Sequence, residues 1–388
     1  MNHDILDKLH QLNSVDWILI GSLLFLFLIR IYYLLFFTGS QVIKSRKENI
    51  SNEKAAQPIS VFTTVRNEEE NLRRILPQLL QINNVKYEVI AVDDYSLDNT
   101  YTILGYFKQH YPHIRISALN EETRFSVKLA QNIALKAAQY DWVLLFPVES
   151  TEVKSDWLSG FTSNTTSKNR KVLIGYNGIQ VKPGLYNLLC RIEFFWQQLK
   201  SAGYISNGIP FIYFEENIAF KKQEYFNIGG YGSKTREPYA NLELLINKFI
   251  TKKQTAILFN ESTRLTRNVC TEKDDYLNLI KRSVRIENDL PLWKRVFIAC
   301  ETLTEIIYLP VLVFILIYFF ELWLLITVLA GLKILAHLII IKIAQNRLNE
   351  RKIFIPSLVY ALLMPYFKMV YKWYFKRQSR RQVWKTNV

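Results

Sequence analysis

The sequence of 388 residues is poor in the residue types that define several protein classes. It contains 13 Gly and 11 Pro, too few for a collagen-like or low-complexity chain. Its three Cys (Cys190, Cys270 and Cys300) are odd in number and widely spaced, which predicts neither a disulfide framework nor a structural zinc cluster. Because 49% of the residues are hydrophobic, the chain is too apolar to be disordered. We expect two or three folded domains in a reducing compartment.

The charge is strongly unbalanced towards the basic side. There are 49 Lys and Arg residues against 34 Asp and Glu residues, a formal net charge of +15. This charge suits an anionic partner, either a nucleic acid, a phosphorylated substrate or a membrane surface. The basic residues cluster beside long apolar segments, so a membrane accounts for much of the excess and nucleic-acid binding ranks far below the other two classes.

The amino-terminal segment Trp17–Phe37 is apolar apart from Arg30. It is long enough for a membrane-spanning helix, which needs about 20 mostly apolar residues. Lys44, Arg46 and Lys47 follow directly, and this places the carboxyl end of the helix in the cytoplasm. Arg30 is expected to reach towards the lipid headgroups from that end.

Three further apolar segments lie in the carboxyl-terminal third. Ile306–Phe320 and Leu322–Ala344 are separated by Glu321, which predicts a transmembrane hairpin with its tip at Glu321. The first of them is short for a span. The third, Ile353–Phe375, is interrupted by prolines and lysines and is followed by a basic tail, so we predict an interfacial or re-entrant helix there.

Strand and helix patterns alternate between these membrane segments. The predicted strands are Ile59–Val65, Tyr87–Val92, Ile114–Ala118 and Trp142–Phe146, and the predicted helices include Thr100–His110 and Ser126–Gln139. Such alternation predicts a mainly parallel sheet, whose ligands lie at the carboxyl ends of the strands. Asn67-Glu68 and Asp93-Asp94 both fall at such ends, and Asn67 is also a good helix N-cap.

Four segments in this order resemble family 2 glycosyltransferases: ISVFTTVRNEEENLRRILPQLL, YEVIAVDDYSLDNT, KLAQNIALKAAQYDWVLLF and ENIAFKKQEYFNIGGYGS. The resemblance covers roughly residues 57–320 and includes the anchor-plus-hairpin layout of processive and lipid-linked members. It implies an α/β GT-A fold, a mainly parallel sheet with flanking helices, with transmembrane helices at both ends. It also implies an inverting transfer of sugar from a nucleotide-sugar donor.

The resemblance assigns five residues to nucleotide binding. Asn67, Glu68, Asp93 and Asp94 would line the nucleoside pocket, and Asn132 falls on an Ala-Leu-Asn pattern of the family. An alternative is that Asn67 and Glu68 only cap a helix and that Asp93-Asp94 form a solvated turn.

The metal-binding Asp-x-Asp of the family is replaced here by Pro147-Val148-Glu149. The resemblance places Glu149 at its second, metal-binding position, where one carboxylate and the donor diphosphate would hold Mg²⁺ or Mn²⁺. The alternative is an ordinary exposed glutamate at the start of a loop.

The acidic pair that supplies the catalytic base in the family aligns here with Ala240-Asn241. Asn241 cannot accept a proton, so Glu237 or Glu243 would have to replace the base. A second acidic pair, Glu215-Glu216, is interpreted as a solvated loop end.

The Gln-x-x-Arg-Trp signature of the family is also missing, with Ile280, Ser283 and Val284 at its places. Lys281, Arg282 and Arg285 remain as cations that could bind the diphosphate or, alternatively, anionic membrane lipid.

These patterns predict a membrane-bound glycosyltransferase that uses a nucleotide-sugar donor and a lipid-linked or glycan acceptor at the inner (cytoplasmic) membrane. The alternative is a catalytically inactive homologue that binds a partner synthase, a nucleotide or a glycolipid. The predicted domains are a membrane anchor, a cytoplasmic GT-A domain, interfacial amphipathic helices, a transmembrane hairpin and an interfacial or re-entrant helix with a basic tail: 1–44, 45–270, 271–304, 305–346 and 347–388.

Overall fold

The computed structural model describes residues 13–40, 56–122, 125–167, 169–269 and 271–385. The chain divides into two compact units. A helical unit contains residues 1–44, 290–346 and 351–388, and a globular unit contains residues 45–289 and 347–350. Most of the predicted linker, the basic residues Lys44, Arg46 and Lys47, and Cys270 lie outside the described residues.

The strands and longer helices of the described chain follow in order: α1 (Ser14–Tyr32), β1 (Ile59–Val65), α2 (Glu69–Leu80), β2 (Tyr87–Asp93), α3 (Thr100–His110), β3 (Ile114–Ala118), α4 (Ser126–Ala137), β4 (Trp142–Leu145), α5 (Trp157–Thr162), β5 (Val172–Gly175), β6 (Asn177–Ile179), α6 (Leu185–Ser206), β7 (Ile218–Lys221), α7 (Lys222–Asn227), α8 (Leu242–Phe249), β8 (Thr255–Leu258), β9 (Leu265–Arg267), α9 (Lys273–Asp289), α10 (Leu292–Tyr318), α11 (Trp323–Leu348) and α12 (Phe354–Lys385). A π-helical segment, Tyr33–Gly39, continues α1, and short 3₁₀ turns cover Gly232–Arg236 and Phe320–Leu322.

The globular unit is built on a seven-stranded sheet with the order β3-β2-β1-β4-β7-β5-β8. β1 pairs in parallel with β2 and β4, and β2 pairs in parallel with β3. β7 is antiparallel to both neighbours, and β5 is parallel to β8. A second, two-stranded sheet pairs β6 with β9 in parallel. The predicted α/β architecture is confirmed, and β1 to β4 all end at the same edge of the sheet.

The sequence pattern explains why helices cover this sheet. β1 and β2 are apolar and buried on both faces, as parallel strands require. In α2 the buried residues Leu72, Ile75, Leu76 and Leu79 recur at helical spacing and pack into the core of the sheet. Full burial of each such side chain stabilises the fold by about 1.5–3 kcal/mol.

The predicted N-cap role of Asn67 is wrong. Helix α2 begins two residues later, at Glu69, and its N-cap residue is Glu68. Asn67 has a φ of 54°, in the left-handed region, and belongs to the loop that connects β1 to α2. The side-chain oxygen of an Asn can bond to the backbone of a loop as readily as to a helix start, and sequence pattern alone does not separate these uses.

Among the described residues, four helices of the helical unit are long and apolar enough to cross a membrane: Ser14–Gly39, Leu292–Tyr318, Trp323–Leu348 and Phe354–Tyr374. The helix breaks between Tyr318 and Trp323, at the place where we predict the hairpin tip. The apolar segment predicted to be short belongs to α10, which starts at Leu292 and includes residues expected in a separate interfacial helix. α12 is one continuous helix, so its length and composition admit a span where we predict an interfacial or re-entrant helix.

Arg30 is buried within the helical unit and does not extend towards headgroups as expected. Its Nη2 donates to Glu305 Oε1 at 2.7 Å, and its Nη1 donates to the carbonyl oxygen of Glu301 at 3.1 Å. A partner of opposite charge lowers the cost of placing a guanidinium among apolar helices, which is how ionisable residues inside membranes usually occur.

Candidate functional site

The loops that follow β1 and β2 are joined by hydrogen bonds at the carboxyl edge of the sheet. Asn67 N–H donates to Ser96 Oγ at 2.9 Å, and Leu97 N–H donates to Asn67 Oδ1 at 2.8 Å. Glu68 N–H donates to Thr100 Oγ1 at 2.8 Å. The two loops that carry the predicted nucleoside residues therefore form one connected structure, at the place where parallel sheets bind ligands.

Four non-glycine residues with left-handed backbone lie in or beside the predicted site. Their φ angles are 54° for Asn67, 56° for Tyr95, 58° for Asn217 and 68° for Tyr239. This conformation is uncommon outside glycine and costs of order 1–2 kcal/mol per residue. Such strain persists only where the surrounding structure enforces it, and it concentrates at functional sites.

Asp93 and Asp94 are buried, with 4% and 1% of their surfaces exposed. Ser96 N–H donates to Asp93 Oδ2 at 3.4 Å, and the Ser96 hydroxyl is also bonded to this carboxylate. Asp94 N–H donates to the carbonyl oxygen of Val65 at 2.8 Å, which ties the end of β2 to the end of β1. A solvated turn, the alternative for this pair, does not fit its burial.

The charge of Glu68 is influenced by Glu149, the residue predicted to bind metal. Asn71 Nδ2 donates to Glu68 Oε2 at 2.7 Å. Burial raises the pKa of Glu68, and the negative charge of Glu149 raises it further while Arg267 lowers it.

Glu149 is fixed against strand β9 through the backbone. Ser150 forms an isolated antiparallel bridge with Arg267, and Asn268 N–H donates to the carbonyl oxygen of Glu149 at 2.6 Å. This pairing brings Arg267 Nη2 to 3.4 Å from Glu149 Oε1 and Arg267 Nη1 to 3.0 Å from Glu216 Oε1. Arg267 was not among the residues predicted from the sequence.

Arg282, on α9, contacts three carboxylates, one of which is Glu216. Its Nε donates to Glu243 Oε1 at 2.7 Å and its Nη1 to Glu216 Oε1 at 3.3 Å. Its Nη2 lies 3.7 Å from Glu215 Oε1. Glu216 thus contacts both arginines. We call this group the arginine–glutamate cluster; its members are Glu149, Glu215, Glu216, Glu243, Arg267 and Arg282.

Burial and charge shift the pKa values of the central acidic pair in opposite directions. Burial and then the neighbouring Glu243 carboxylate raise the pKa of Glu215 to about 8, against the opposing effects of Arg282 and the Leu242 N–H. Burial also disfavours the charged form of Glu216, but Arg282 and Arg267 outweigh it and lower the pKa of Glu216 to about 2. Burial thus favours the protonated form of Glu215, whereas the two guanidinium groups favour the charged form of Glu216.

The interpretation of Glu215-Glu216 as a solvated loop end is wrong, because only 7% and 9% of these residues are exposed. Asn217 follows them and is completely buried. Its Oδ1 accepts from Trp157 Nε1 at 3.1 Å, and its Nδ2 donates to the Thr263 carbonyl at 2.8 Å. These bonds fix the pair in place. The available signal was an acidic pair inside an apolar run, since buried carboxylates need partners.

The remaining predicted cations lie outside the arginine–glutamate cluster. Arg285 Nε is 3.1 Å from Glu237 Oε1, in a pair that is about one-quarter exposed on each side. Lys281 Nζ donates to Asn278 Oδ1 at 3.2 Å and lies 5.1 Å from the centre of the Tyr239 ring.

Asn132 lines a cavity of about 410 Å³ together with Lys128, Tyr225 and the Gly229-Gly230 turn. Its Oδ1 accepts from the Tyr225 hydroxyl at 3.1 Å. A hydrogen-bond chain leads from this cavity to the cluster: Tyr231 hydroxyl bonds to Gln131, and Gln131 Nε2 donates to Glu215 Oε2 at 3.2 Å. The described contacts of Asn132 are therefore on this cavity, and they do not include the loops after β1 and β2.

The sequence and the structure were compared with those of known proteins, and both comparisons find glycosyltransferases. Residues 60–146 match the sequence profile of glycosyl transferase family 2. The structure resembles the mannosyltransferase PcManGT from Pyrobaculum calidifontis, solved with GDP-Man and Mn²⁺, at 15% identity with a TM-score of 0.55, covering 90% of this chain and 98% of that one. It also resembles TarS from S. aureus in complex with UDP at 16% identity with a TM-score of 0.41, covering 65% and 70% of the two chains.

A third similar structure is glucosyl-3-phosphoglycerate synthase from Mycobacterium tuberculosis, at 15% identity with a TM-score of 0.41, covering 61% of this chain and 82% of that one. No curated protein matches the sequence significantly. The similarity to PcManGT shows that the fold is GT-A-like. The match of residues 60–146 to the family model agrees with the resemblance that the sequence motifs indicate.

Proposed function

We propose that this protein binds a nucleotide-sugar donor at the loops after β1 and β2 and transfers the sugar to a lipid-linked or polysaccharide acceptor with inversion. The observation that carries this proposal is the connected pair of strained loops that presents Glu68 and the buried Asp93-Asp94 at the carboxyl edge of the sheet. Carboxylates in this position can accept hydrogen bonds from ribose hydroxyls and from base N–H groups.

Inverting transfer needs a base that removes the proton of the acceptor hydroxyl as its oxygen attacks the anomeric carbon and the nucleoside diphosphate leaves. Of the two predicted candidates, Glu243 is completely buried and bonded to Arg282, so an acceptor would have to displace that arginine. Glu237 is about one-quarter exposed and pairs with Arg285. We propose Glu237 as the base, because a general base must reach the acceptor oxygen directly or through one water.

The Mg²⁺ or Mn²⁺ predicted at Glu149 is not supported by the geometry. The Glu149 carboxylate contacts Arg267, and among the described residues there is no group of three His, Cys, Asp or Glu side chains that could hold a metal ion. The mannosyltransferase with a similar fold was solved with Mn²⁺. In this chain the residues at the corresponding place do not fit such an ion, so the function proposed here includes no step through a metal.

The apolar helices support a membrane location, and the basic residues after α1 support a cytoplasmic position for the globular unit. In this arrangement the donor would come from the cytoplasm, and membrane lipid would be a permanent neighbour of the chain. An acceptor carried on a lipid is the natural substrate for such an enzyme.

Two measurements on the full-length protein in detergent test the proposal. Calorimetry with UDP and GDP measures donor-site binding, and radiolabelled sugar transfer from nucleotide sugars measures turnover. Asp94→Asn should weaken nucleotide binding about tenfold or more, because hydrogen bonds to a charged group contribute about 1.5–3 kcal/mol. Asp141→Asn, an exposed carboxylate just before the amino end of β4, is the matched control. The absence of binding to either nucleotide would contradict the proposal.

The arginine–glutamate cluster also favours a second candidate, a non-catalytic relative that binds a nucleotide, a glycolipid or a partner synthase. Its arginines and glutamates contact one another, and the acidic pair of the family is replaced by Ala240-Asn241. Nucleotide binding without transfer to any lipid or glycan acceptor, together with unchanged cellular function of Glu237→Gln, would select this candidate.

A further inference from the structure

Arg267 occupies the space between two carboxylates at the position where the fold family is expected to bind metal. It contacts Glu149 through Nη2 at 3.4 Å and Glu216 through Nη1 at 3.0 Å. Glu149 is the residue that falls on the second position of the Asp-x-Asp pattern. The arginine thus provides a positive charge in contact with the carboxylate that would otherwise be available to a cation.

The backbone fixes this placement, so it does not depend on a flexible side chain alone. β9 pairs with β6 on one side, and Thr151 N–H donates to the carbonyl oxygen of Thr266 at 2.7 Å on the other. The bridge between Ser150 and Arg267 sets the register of the two segments. Glu149 and Arg267 are consequently held beside each other by the fold.

The charge of Arg267 is stable in this environment. An arginine side chain stays protonated in proteins, and two carboxylates contact this one. About 15% of the side chain is exposed. Its Nε–H is buried and has no hydrogen-bond acceptor among the described residues. An unsatisfied guanidinium N–H inside a protein is costly, and it points to an acceptor that the chain does not supply.

We propose that Arg267 is the fixed cation of this centre, that Glu149 therefore holds a guanidinium and no divalent metal, and that a diphosphate oxygen accepts from the unsatisfied side of Arg267. Arginine is suited to this role because it stays charged and presents several N–H donors in one plane, a geometry that matches phosphate oxygens. The part that concerns the diphosphate rests on the proposed donor site, whereas the part that concerns the metal does not.

The first test measures Mn²⁺ alone, by the loss of its free electron paramagnetic resonance signal, with full-length protein and without nucleotide. Wild-type protein is expected to bind no Mn²⁺ at this centre. Arg267→Gln removes the cation that contacts Glu149, while Arg282 still contacts Glu216. The Glu149 carboxylate then becomes available, so the affinity for Mn²⁺ should rise about tenfold or more, since one or two carboxylates together with waters can hold such ions. The double variant Arg267→Gln/Glu149→Gln should lose this gain.

Arg267→Lys keeps the positive charge beside Glu149, so this variant should not bind Mn²⁺. It is the comparison to use if Arg267→Gln does not fold. Binding of Mn²⁺ by wild-type protein that disappears in Glu149→Gln would overturn the proposal. So would an Arg267→Gln variant that folds and gains no Mn²⁺.

The second test is calorimetry with UDP and GDP, with Mn²⁺ or with EDTA. Wild-type affinity should be the same in both conditions, and Arg267→Gln should weaken binding in EDTA about tenfold or more, since an N–H donor to a phosphate oxygen is a strong charge-assisted bond. Affinity that requires Mn²⁺ would overturn the proposal. If neither nucleotide binds to wild-type protein, the donor-site proposal fails while the Mn²⁺ measurement still decides the role of Arg267.

Discussion

The two halves of the candidate site are built with different chemistry. The loops after β1 and β2 are held by hydrogen bonds among side chains and backbone that are close in sequence within each loop or join the two loops, as between Asn67 and Leu97. The arginine–glutamate cluster is held by ion pairs between buried side chains from elements distant in sequence, such as Arg282 and Glu243. The first half is a pair of hydrogen-bonded loops at the edge of the sheet. The second half is a network of ion pairs between side chains that are largely buried.

The family match follows the same division. It covers residues 60–146 and stops at Phe146, immediately before Pro147-Val148-Glu149, where the Asp-x-Asp pattern is lost. The match therefore includes the loops after β1 and β2 and ends before every residue of the arginine–glutamate cluster. Variants that act on one half and spare the other can test this division.

The largest expected effect belongs to Arg282→Met. Removing this guanidinium leaves Glu215, Glu216 and Glu243 buried with one fewer cation, and breaking a buried ion pair on one side typically costs about 3–5 kcal/mol. Chemical denaturation of the purified protein, followed by tryptophan fluorescence, measures this loss, because Trp142 and Trp157 are buried in the globular unit.

The matched control for that variant is Arg285→Met, three residues along the same helix. Its pair with Glu237 is partly exposed, so the loss should stay below about 1 kcal/mol. If both variants lost the same free energy of unfolding, the arginine–glutamate cluster would be no more important for stability than a partly exposed ion pair. The proposed difference between the two halves of the site would then be wrong.

The second prediction concerns the pH dependence of stability. An unfolded glutamate loses its proton near pH 4.3, whereas burial raises the pKa of folded Glu215 to about 8. Between these values the folded state binds more protons, so this group lowers stability as the pH rises through that window. Glu216 acts in the opposite sense, because its folded pKa of about 2 gives stability that is present above about pH 4.3 and is lost on acidification.

Glu215→Gln should therefore flatten the decline in Tm between about pH 5 and pH 8, while Glu216→Gln should remove the loss on acidification below about pH 4. Asp141→Asn controls for the removal of one negative charge at an exposed position. A decline for Glu215→Gln as steep as that of wild type would contradict the assignment of this window to Glu215.

The sequence predicts the parallel half of the fold well, because β1, β2 and β4 are short, mostly apolar segments that are buried. The bounds of β1, α3 and β3 agree with the structure residue for residue. Local pattern suffices where burial on both faces of a strand determines its composition.

The arginine–glutamate cluster could not be predicted in this way. Glu149, Glu216 and Arg267 are distant in sequence and meet only because β9 runs beside the segment after β4. The assignment of Arg282 to a diphosphate came from a family pattern, and the structure gives it three carboxylates instead. Charge pairing across a fold leaves no periodic signal in a single sequence.

The smallest expected effect tests the nucleoside-side half through Asn67. Its left-handed backbone and its bond to Leu97 N–H make two separate contributions. Asn67→Ala removes the side-chain hydrogen bond and places a residue that disfavours the left-handed region at this φ angle, so it should reduce the free energy of unfolding by about 1–2 kcal/mol. Asn67→Gly also removes the hydrogen bond, but glycine adopts this φ angle without strain. Denaturation should therefore rank wild type first, Asn67→Gly second and Asn67→Ala last. If Asn67→Ala and Asn67→Gly had the same free energy of unfolding, the backbone of this loop would carry no strain at Asn67.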